Sequence, residues 1–303
     1  MNIRTDLALE AHEYAAADGR HLEGVRTHRR QYGPLWGDVV EILDERGQRL
    51  TGKPRGSYVT LQIGRVWQDT PQAFRDKALA LGPVLREWMG EPCRGQVLVA
   101  GLGNRHITAD CLGPLAVDNL IVTRHIKKER PGLFRSLELG EVAALTPGVL
   151  GQTGMESADI LQCVCRQLAP SALVAVDALA ARRLDRLVTT LQISDNGFSP
   201  GSGVNNRRAS VDQSTVGCPV ITVGVPTVVD AATLAYDALC GVGAQQDLER
   251  IRDRFETDGL NFFVTPKETD SIICRVGALI GYGLNLALHP NMDYDTMLSL
   301  ATS

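Results

Sequence analysis

Residues 97 to 114, VLVAGLGNRHITADCLGP, constrain this chain more than any other stretch. Val97, Leu98, Val99 and Ala100 form a short apolar run that ends in a glycine turn, Gly101-Leu102-Gly103-Asn104. A continuous apolar run of this length, bounded by turn residues, reads as a buried strand of a parallel sheet. Ligands and catalytic groups of such sheets collect just past the carboxyl ends of the strands. The chain places one acid there, Asp110, ahead of Gly113-Pro114.

Upstream, Asp6 to Glu10 resembles the start of a helix, and the basic run Arg26 to Arg30 reads as a solvated face or loop. Val39, Val40, Ile42 and Leu43, then Asp44-Glu45-Arg46-Gly47 and a second run, suggest a hairpin with a short turn. Tyr58 to Trp67 is β-rich, and Asp69-Thr70-Pro71 opens a helix whose apolar residues recur at three and four from Phe74 to Met89. Downstream, Pro114 to His125 has helical spacing. Thr153 with Glu156 fits a capping box for a helix to about Leu168.

Leu173 to Val176 is a second buried strand and also ends on an acid, Asp177. Leu187 to Ile193 is strand-like, Ser194 to Asn206 is a long glycine-rich loop, and Pro219 to Val225 is a further strand. Pro226-Thr227 leads to a helix from about Val229 to Leu239, and the charged residues 244 to 260 form helix or loop. Phe262 to Glu268 turns from a strand into a helix over Ser271 to Leu288. Gly277, Gly281 and Gly283 weaken that helix unless another element packs closely on it.

Strands alternating with helices predict an α/β fold of three layers, a mostly parallel sheet flanked by helices. The simplest division is a single domain over 1–303, with an N-terminal β-rich elaboration at 1–70 and a core at 71–303. A formal charge of −4 gives no electrostatic reason to expect nucleic acid. The charged N-terminus lacks an apolar secretory segment. No apolar run is expected to reach a membrane span, so a cytoplasmic protein is expected. Seven scattered cysteines are no disulfide framework. Cys163 and Cys165 point in different directions on a helix and read as structural thiols rather than metal ligands.

Gly101-Leu102-Gly103 opens like a dinucleotide fingerprint, but His106 stands where the third glycine belongs, and the second strand's acid lies far beyond the usual spacing. The P-loop, G-x-S-x-G and H-E-x-x-H patterns are absent. A pair of acids is the better reading. If the strands leading to Asp110 and Asp177 are close, both carboxylates sit at one sheet edge. One keeps its proton while the other takes a proton from water, or both ligate a hard cation. The bland alternative, with 35 acids in the chain, is that Asp110 caps a helix and Asp177 closes a strand. His106 and His125 could ligate a metal or shuttle protons, and Arg124 and Arg182-Arg183 could hold an acidic substrate, but structural hydrogen bonds and solvated salt bridges, such as to Asp185, are the default. Ser202 lacks nucleophile-elbow spacing, and the glycines of the long loop around it permit close backbone approach to a peptide or small ligand.

Six motifs occurring in order, GLGNRHITADCLGP, PGVLGQTGMES, VAVDALAARR, QISDNGFSPGSGVNNRR, PVITVGVPTVVDA and FVTPKETD, resemble the germination protease family of spore-forming bacteria. The similarity runs from IRTDLALEA to GLNLALH. It implies an aspartic-type endopeptidase with a fold related to the hydrogenase maturation proteases, acting in the spore core or forespore. Its substrates would be small acid-soluble, DNA-coating spore proteins, whose degradation it initiates during germination. It implies a zymogen and a homotetramer, no direct nucleic acid or membrane partner, and no required cofactor or metal. Carried across, the family's catalytic aspartates fall on Asp110 and Asp177. The alternatives are a metal-dependent maturation-type protease acting on one protein partner, and a non-catalytic α/β binding protein. The chain departs from the family pattern in having only Met1-Asn2 before Ile3-Arg4-Thr5-Asp6, in Ala109, Cys111 and Asn205, and in leaving little room at residues 240–262 for the family's insertion.

Overall fold

A computed structural model of the chain describes residues 5–16, 21–91, 95–198, 210–241 and 262–301. The N-terminal part runs α1 (Ala8–Ala15), β1 (Val25–Tyr32), β2 (Leu35–Ile42), α2 (Glu45–Thr51), β3 (Gly56–Gln62) and α3 (Pro71–Met89). The middle part runs β4 (Val97–Gly101), α4 (Leu112–Asp118), α5 (Arg124–Glu129), α6 (Pro131–Ser136), β5 (Val142–Leu145), α7 (Leu150–Thr153), α8 (Ser157–Leu168) and β6 (Ala172–Ala181). Then follow β7 (Thr190–Ser194), α9 (Gln213–Val216), β8 (Val220–Asp230), α10 (Ala231–Gly241), β9 (Phe263–Val264), α11 (Thr269–Leu288) and α12 (Tyr294–Ala301).

All the strands join one sheet in the order β1-β2-β3-β7-β8-β6-β4-β5, with β9 added to β8. The α/β architecture expected from the sequence is present. The sheet itself is mixed: parallel across β5-β4-β6-β8, antiparallel from β8 through β7 and β3 to β1.

Successive strand residues point to opposite faces, and the central strands bury both. Val97, Val99, Val174, Val176, Val223 and Val225 pack with Leu81 and Leu85 of α3, Leu112 and Ala116 of α4, and Ile273, Val276 and Ile280 of α11. Leu98, Ala100, Leu173 and Ala175 face the other way, onto Leu161 and Cys165 of α8. This double burial is why β4 and β6 read as continuous apolar runs.

The glycines of α11 meet the condition set by the sequence. A β-carbon on Gly277 would stand 2.9 Å from Leu115 Cβ, one on Gly281 2.6 Å from Asn119 Cβ, and one on Gly283 2.7 Å from Leu81 Cδ2. Helix α4 lies against Gly277 and Gly281, and helix α3 against Gly283 on another face. The expectation that no segment reaches membrane-spanning length needs correction. The 20-residue α11, with a mean hydropathy of 1.5 over its most apolar 18 residues, is long and apolar enough by composition. Burial among α3, α4 and the sheet accounts for that character.

Other differences are local. Residues 26–30 are solvent-exposed, as expected, but belong to edge strand β1. The hairpin lies one strand earlier than expected, between β1 and β2, because the Asp44 carboxylate caps α2 by accepting from Arg46 and Gly47 N–H. The strand expected over Tyr58 to Trp67 ends at Gln62, and the one at 187–193 spans Thr190–Ser194. The helix expected over 114–125 stops at Asp118. Asn285 of α11 accepts from Ile121 N–H at 2.8 Å and donates to the Asn119 carbonyl at 2.9 Å, drawing the chain away. Helix α8 starts at Ser157 with Glu156 at its N-cap and without the Thr153 capping box, since Thr153 Oγ1 bonds within its own turn. Strand β8 runs through Pro226 to Asp230, and α10 begins only after it. Residues 244–260 lie outside the described residues, as does most of the 194–206 loop.

Candidate active site

Strand β4 ends at Gly101, which pairs in parallel register with Val176 of β6. The next residue continues that contact, Leu102 N–H donating to the Val176 carbonyl at 2.8 Å. A β-carbon on Gly113, in α4, would lie 2.5 Å from the same carbonyl oxygen, so glycine lets α4 seat directly on the strand ends. Gly103 has φ of +109° and lies against the backbone of Asp110. Asn104 N–H then donates to Asp110 Oδ2 at 2.8 Å, while Asp110 N–H closes the short Thr108–Asp110 turn on the Ile107 carbonyl at 2.8 Å. Asn104 Oδ1 accepts from Gln152 Nε2 at 2.7 Å, tying this loop to α7. The glycine turn is a device for holding Asp110.

Asp177 follows Val176 on β6, where it stands beside Gly224 of β8. It does not end the strand as the sequence suggested. The strand continues to Ala181, because Ala178 to Ala181 find partners on β8 out to Val229. Asp110 and Asp177 nevertheless line the same cavity, of about 930 Å³. The structure thus brings together the two acids that their positions on the strands had singled out. The size is in the range of a small-ligand or short-peptide site.

Further lining residues come from β3, β7, β8, the segment before β3 and the N-terminal segment, and the sequence alone did not nominate them. Lys53, Tyr58, Gln192, Ser194, Thr222 and Asp6 line the cavity here. Lys53 Nζ donates to the Thr5 carbonyl at 2.8 Å. Burial pushes its pKa down, and the nearby Asp6 and Glu10 carboxylates partly offset this. Tyr58 donates to the Pro54 carbonyl at 2.8 Å and accepts from Asn196 Nδ2; burial pushes its phenol pKa up, keeping it a neutral donor. Gln192 Oε1 accepts from Ala8 N–H at 2.7 Å, and Asp6 Oδ2 accepts from Ala180 N–H at 2.8 Å. The start of the chain is therefore stitched along the cavity wall. Buried Glu10 completes the anchor by accepting from the N–H groups of Arg182 at 2.7 Å and Arg183 at 3.0 Å.

The remaining candidates do not converge on the cavity. His106, His125 and Arg124 are exposed. Arg183 pairs with Asp185 as its default reading held, whereas Arg182 pairs with Asp237. Cys163 is exposed and Cys165 buried, pointing apart as expected. Cys111, next to Asp110, donates its S–H to the Thr108 carbonyl at 3.1 Å, and burial raises its pKa, so it is a poor nucleophile. Asn196, Gly197 and Phe198 bring the start of the 194–206 loop to the cavity; Ser202 and Asn205 lie outside the described residues. Among the described residues no group of three His, Cys, Asp or Glu side chains converges as a metal site.

The sequence model of germination proteases matches residues 4–242. A germination protease from Caldanaerobacter subterraneus subsp. tengcongensis is 39% identical, with 99% of this chain and 98% of the relative aligned. The chain belongs to the germination protease family. A germination protease of Clostridium perfringens is 37% identical over 96% of both chains. One from Bacillus subtilis is 34% identical over 97% of this chain and 95% of its own. That last alignment spans 354 positions, more than the chain's 303 residues, so the Bacillus germination protease carries sequence with no counterpart here. As a member of the germination protease family this chain is a peptidase, and the cavity with Asp110 and Asp177 is the candidate for its active site.

Proposed function

We propose that this protein is an aspartic-type endopeptidase that initiates the breakdown of small acid-soluble spore proteins during germination, with Asp110 and Asp177 as its catalytic pair. The observation that carries the reading is that both acids line one cavity, Asp110 in the turn that follows β4 and Asp177 on the neighbouring parallel strand β6, just past the level of the carboxyl end of β4, where such sheets hold their ligands. Two carboxyl groups sharing a site resist losing both protons, and the proposed reaction uses one ionised and one protonated member. The ionised member takes a proton from water as the water oxygen attacks the peptide carbonyl. The protonated member donates to the carbonyl oxygen, and a proton then passes to the departing amine. Tyr58, Lys53 and Asn196 to Phe198 also line the cavity in which the peptide would lie.

Small acid-soluble spore proteins coat DNA, and the reading has the enzyme meeting them in the spore core as a homotetramer. The test is to incubate the purified protein with such a substrate and to read fragment masses. Asp110→Asn and Asp177→Asn should each lower the rate by about 10³-fold or more, in line with loss of one member of a catalytic unit. Cleavage that persists in both variants would reject the pair. Activity abolished by a chelator and restored by a divalent cation would point instead to a metal-dependent maturation-type protease. Light scattering on the eluting protein reads the assembly.

A further inference from the structure

The turn that carries Asp110 follows β4 and is bonded by a residue of β8, the strand two places away in the sheet. Thr227 of β8 donates its Oγ1–H to the carbonyl oxygen of Ala109, the residue before Asp110, at 2.6 Å. Thr227 is only 1% exposed and lines the cavity. Its place in the sheet is irregular. The register between β6 and β8 pairs Leu179 with Pro226 and Ala180 with Val228, so Thr227 is the extra residue of a β-bulge. Bulges are concentrated beside active sites, where the unpaired residue is freed from the regular ladder.

The bond closes a ring of contacts. On one side Asp110 is fixed to its own loop through Asn104 N–H and the close approach of Gly103. On the other, Thr227 fixes the preceding peptide to β8, the strand whose Gly224 stands beside Asp177. Thr227 thus links the peptide before Asp110 to the strand that borders Asp177.

We propose that Thr227 is a positioning residue for the peptidase reaction, acting through the Ala109 carbonyl to hold the Asp110 carboxyl in register with Asp177. This rests on the reading of Asp110 and Asp177 as the catalytic pair. Losing a buried hydroxyl leaves the Ala109 carbonyl without this donor. The turn can then move by a fraction of an ångström, which is enough to spoil proton sharing between two carboxyl groups.

The experiment compares Thr227→Val, Thr227→Ala and Thr227→Ser with Asp110→Asn, using cleavage of a small acid-soluble spore protein at a series of pH values. Thr227→Val should lower kcat about ten- to a hundred-fold with KM changed less than about threefold, and should displace the acid limb of the kcat–pH profile. Thr227→Ser, which keeps the donor, should restore kcat to within about threefold of the parent and return the profile to its place. Parental kcat and profile in Thr227→Val, with Asp110→Asn inactive, would overturn the role of Thr227. Parental activity in Asp110→Asn would instead remove the catalytic pair itself. Should Thr227→Val fail to fold, the Ser–Ala contrast decides: Ala as active as Ser, with the same profile, overturns the proposal.

Discussion

Gly103 and Asp110 touch backbone to backbone, so closely that a β-carbon on the glycine would overlap the carbonyl oxygen of the aspartate. The φ of +109° at Gly103 lies in a region that side-chain-bearing residues rarely adopt. Two independent penalties therefore fall on any substitution, and both are relieved by moving the turn that carries Asp110. Gly103→Ala should lower the cleavage rate at least a hundred-fold, while thermal unfolding shows a loss of only about 1–3 kcal/mol. A Gly103→Ala variant with parental kcat would separate the turn from the chemistry.

Helix α11 offers a second way to reach the same turn. A β-carbon on Gly281 would stand 2.6 Å from Asn119 Cβ and 2.7 Å from the Ala116 carbonyl oxygen, in and just after α4. Helix α4 starts directly after Asp110 and Cys111. Gly281→Ala should cost about 1–3 kcal/mol through overpacking, measurable by denaturant unfolding. It should also lower kcat although residue 281 does not line the cavity.

Glu10 holds the N-terminal segment by its buried carboxylate, accepting two backbone N–H groups and standing 3.5 Å from Arg186 Nη1. Glu10→Gln keeps the shape but removes the charge and one acceptor. Breaking a buried, bonded ion in this way costs about 3–5 kcal/mol. The loss should be concentrated where the N-terminal segment docks. Hydrogen exchange of Asp6, Ala8 and Ala180 amides is expected to accelerate well before that of β4.

His289 sets a pH dependence of stability. Its Nδ1 accepts from Gly140 N–H at 3.2 Å and its Nε2 faces the Ile121 carbonyl at 3.1 Å, so the neutral ring with hydrogen on Nε2 satisfies both partners. Burial pushes its pKa below 6.5, against a smaller opposing effect from the Ile121 carbonyl. Between pH 6.5 and that lower folded value the unfolded chain binds the extra proton. This contribution to stability is therefore complete above pH 6.5 and falls as the pH is lowered through that window. The limiting slope is about 1.4 kcal/mol per pH unit. Unfolding midpoints measured from pH 7.5 downward should fall less steeply in His289→Gln, which should be the less stable protein at pH 7.5.

The sequence discloses what depends on a residue's own neighbours. The apolar runs of β4 and β6 follow from burial on two faces, and α3 from its Thr70 cap, whose Oγ1 accepts from Ala73 N–H. Asp110 and Asp177 stood out because each follows such a run. What stayed hidden depends on strand order. Lys53 and Tyr58 reach the cavity because β3 is carried beside β7, one strand from β8, and no local pattern announces that pairing. Pro226 seemed to end a strand, but the bulge that follows it lets the ladder resume at Val228. The early end of α4 is dictated by Asn285, on a helix that arrives much later in the chain.

That late arrival has a consequence for the protein while it is being made. Chains emerge from the ribosome N-terminus first. Asp110 and Asp177 are both synthesised before β8 supplies Thr227, and well before α11 brings the groove that seats α4. A half-made chain thus owns both acids without the framework that fixes their spacing. The framework around the two acids is therefore complete only once the last third of the polypeptide has been made.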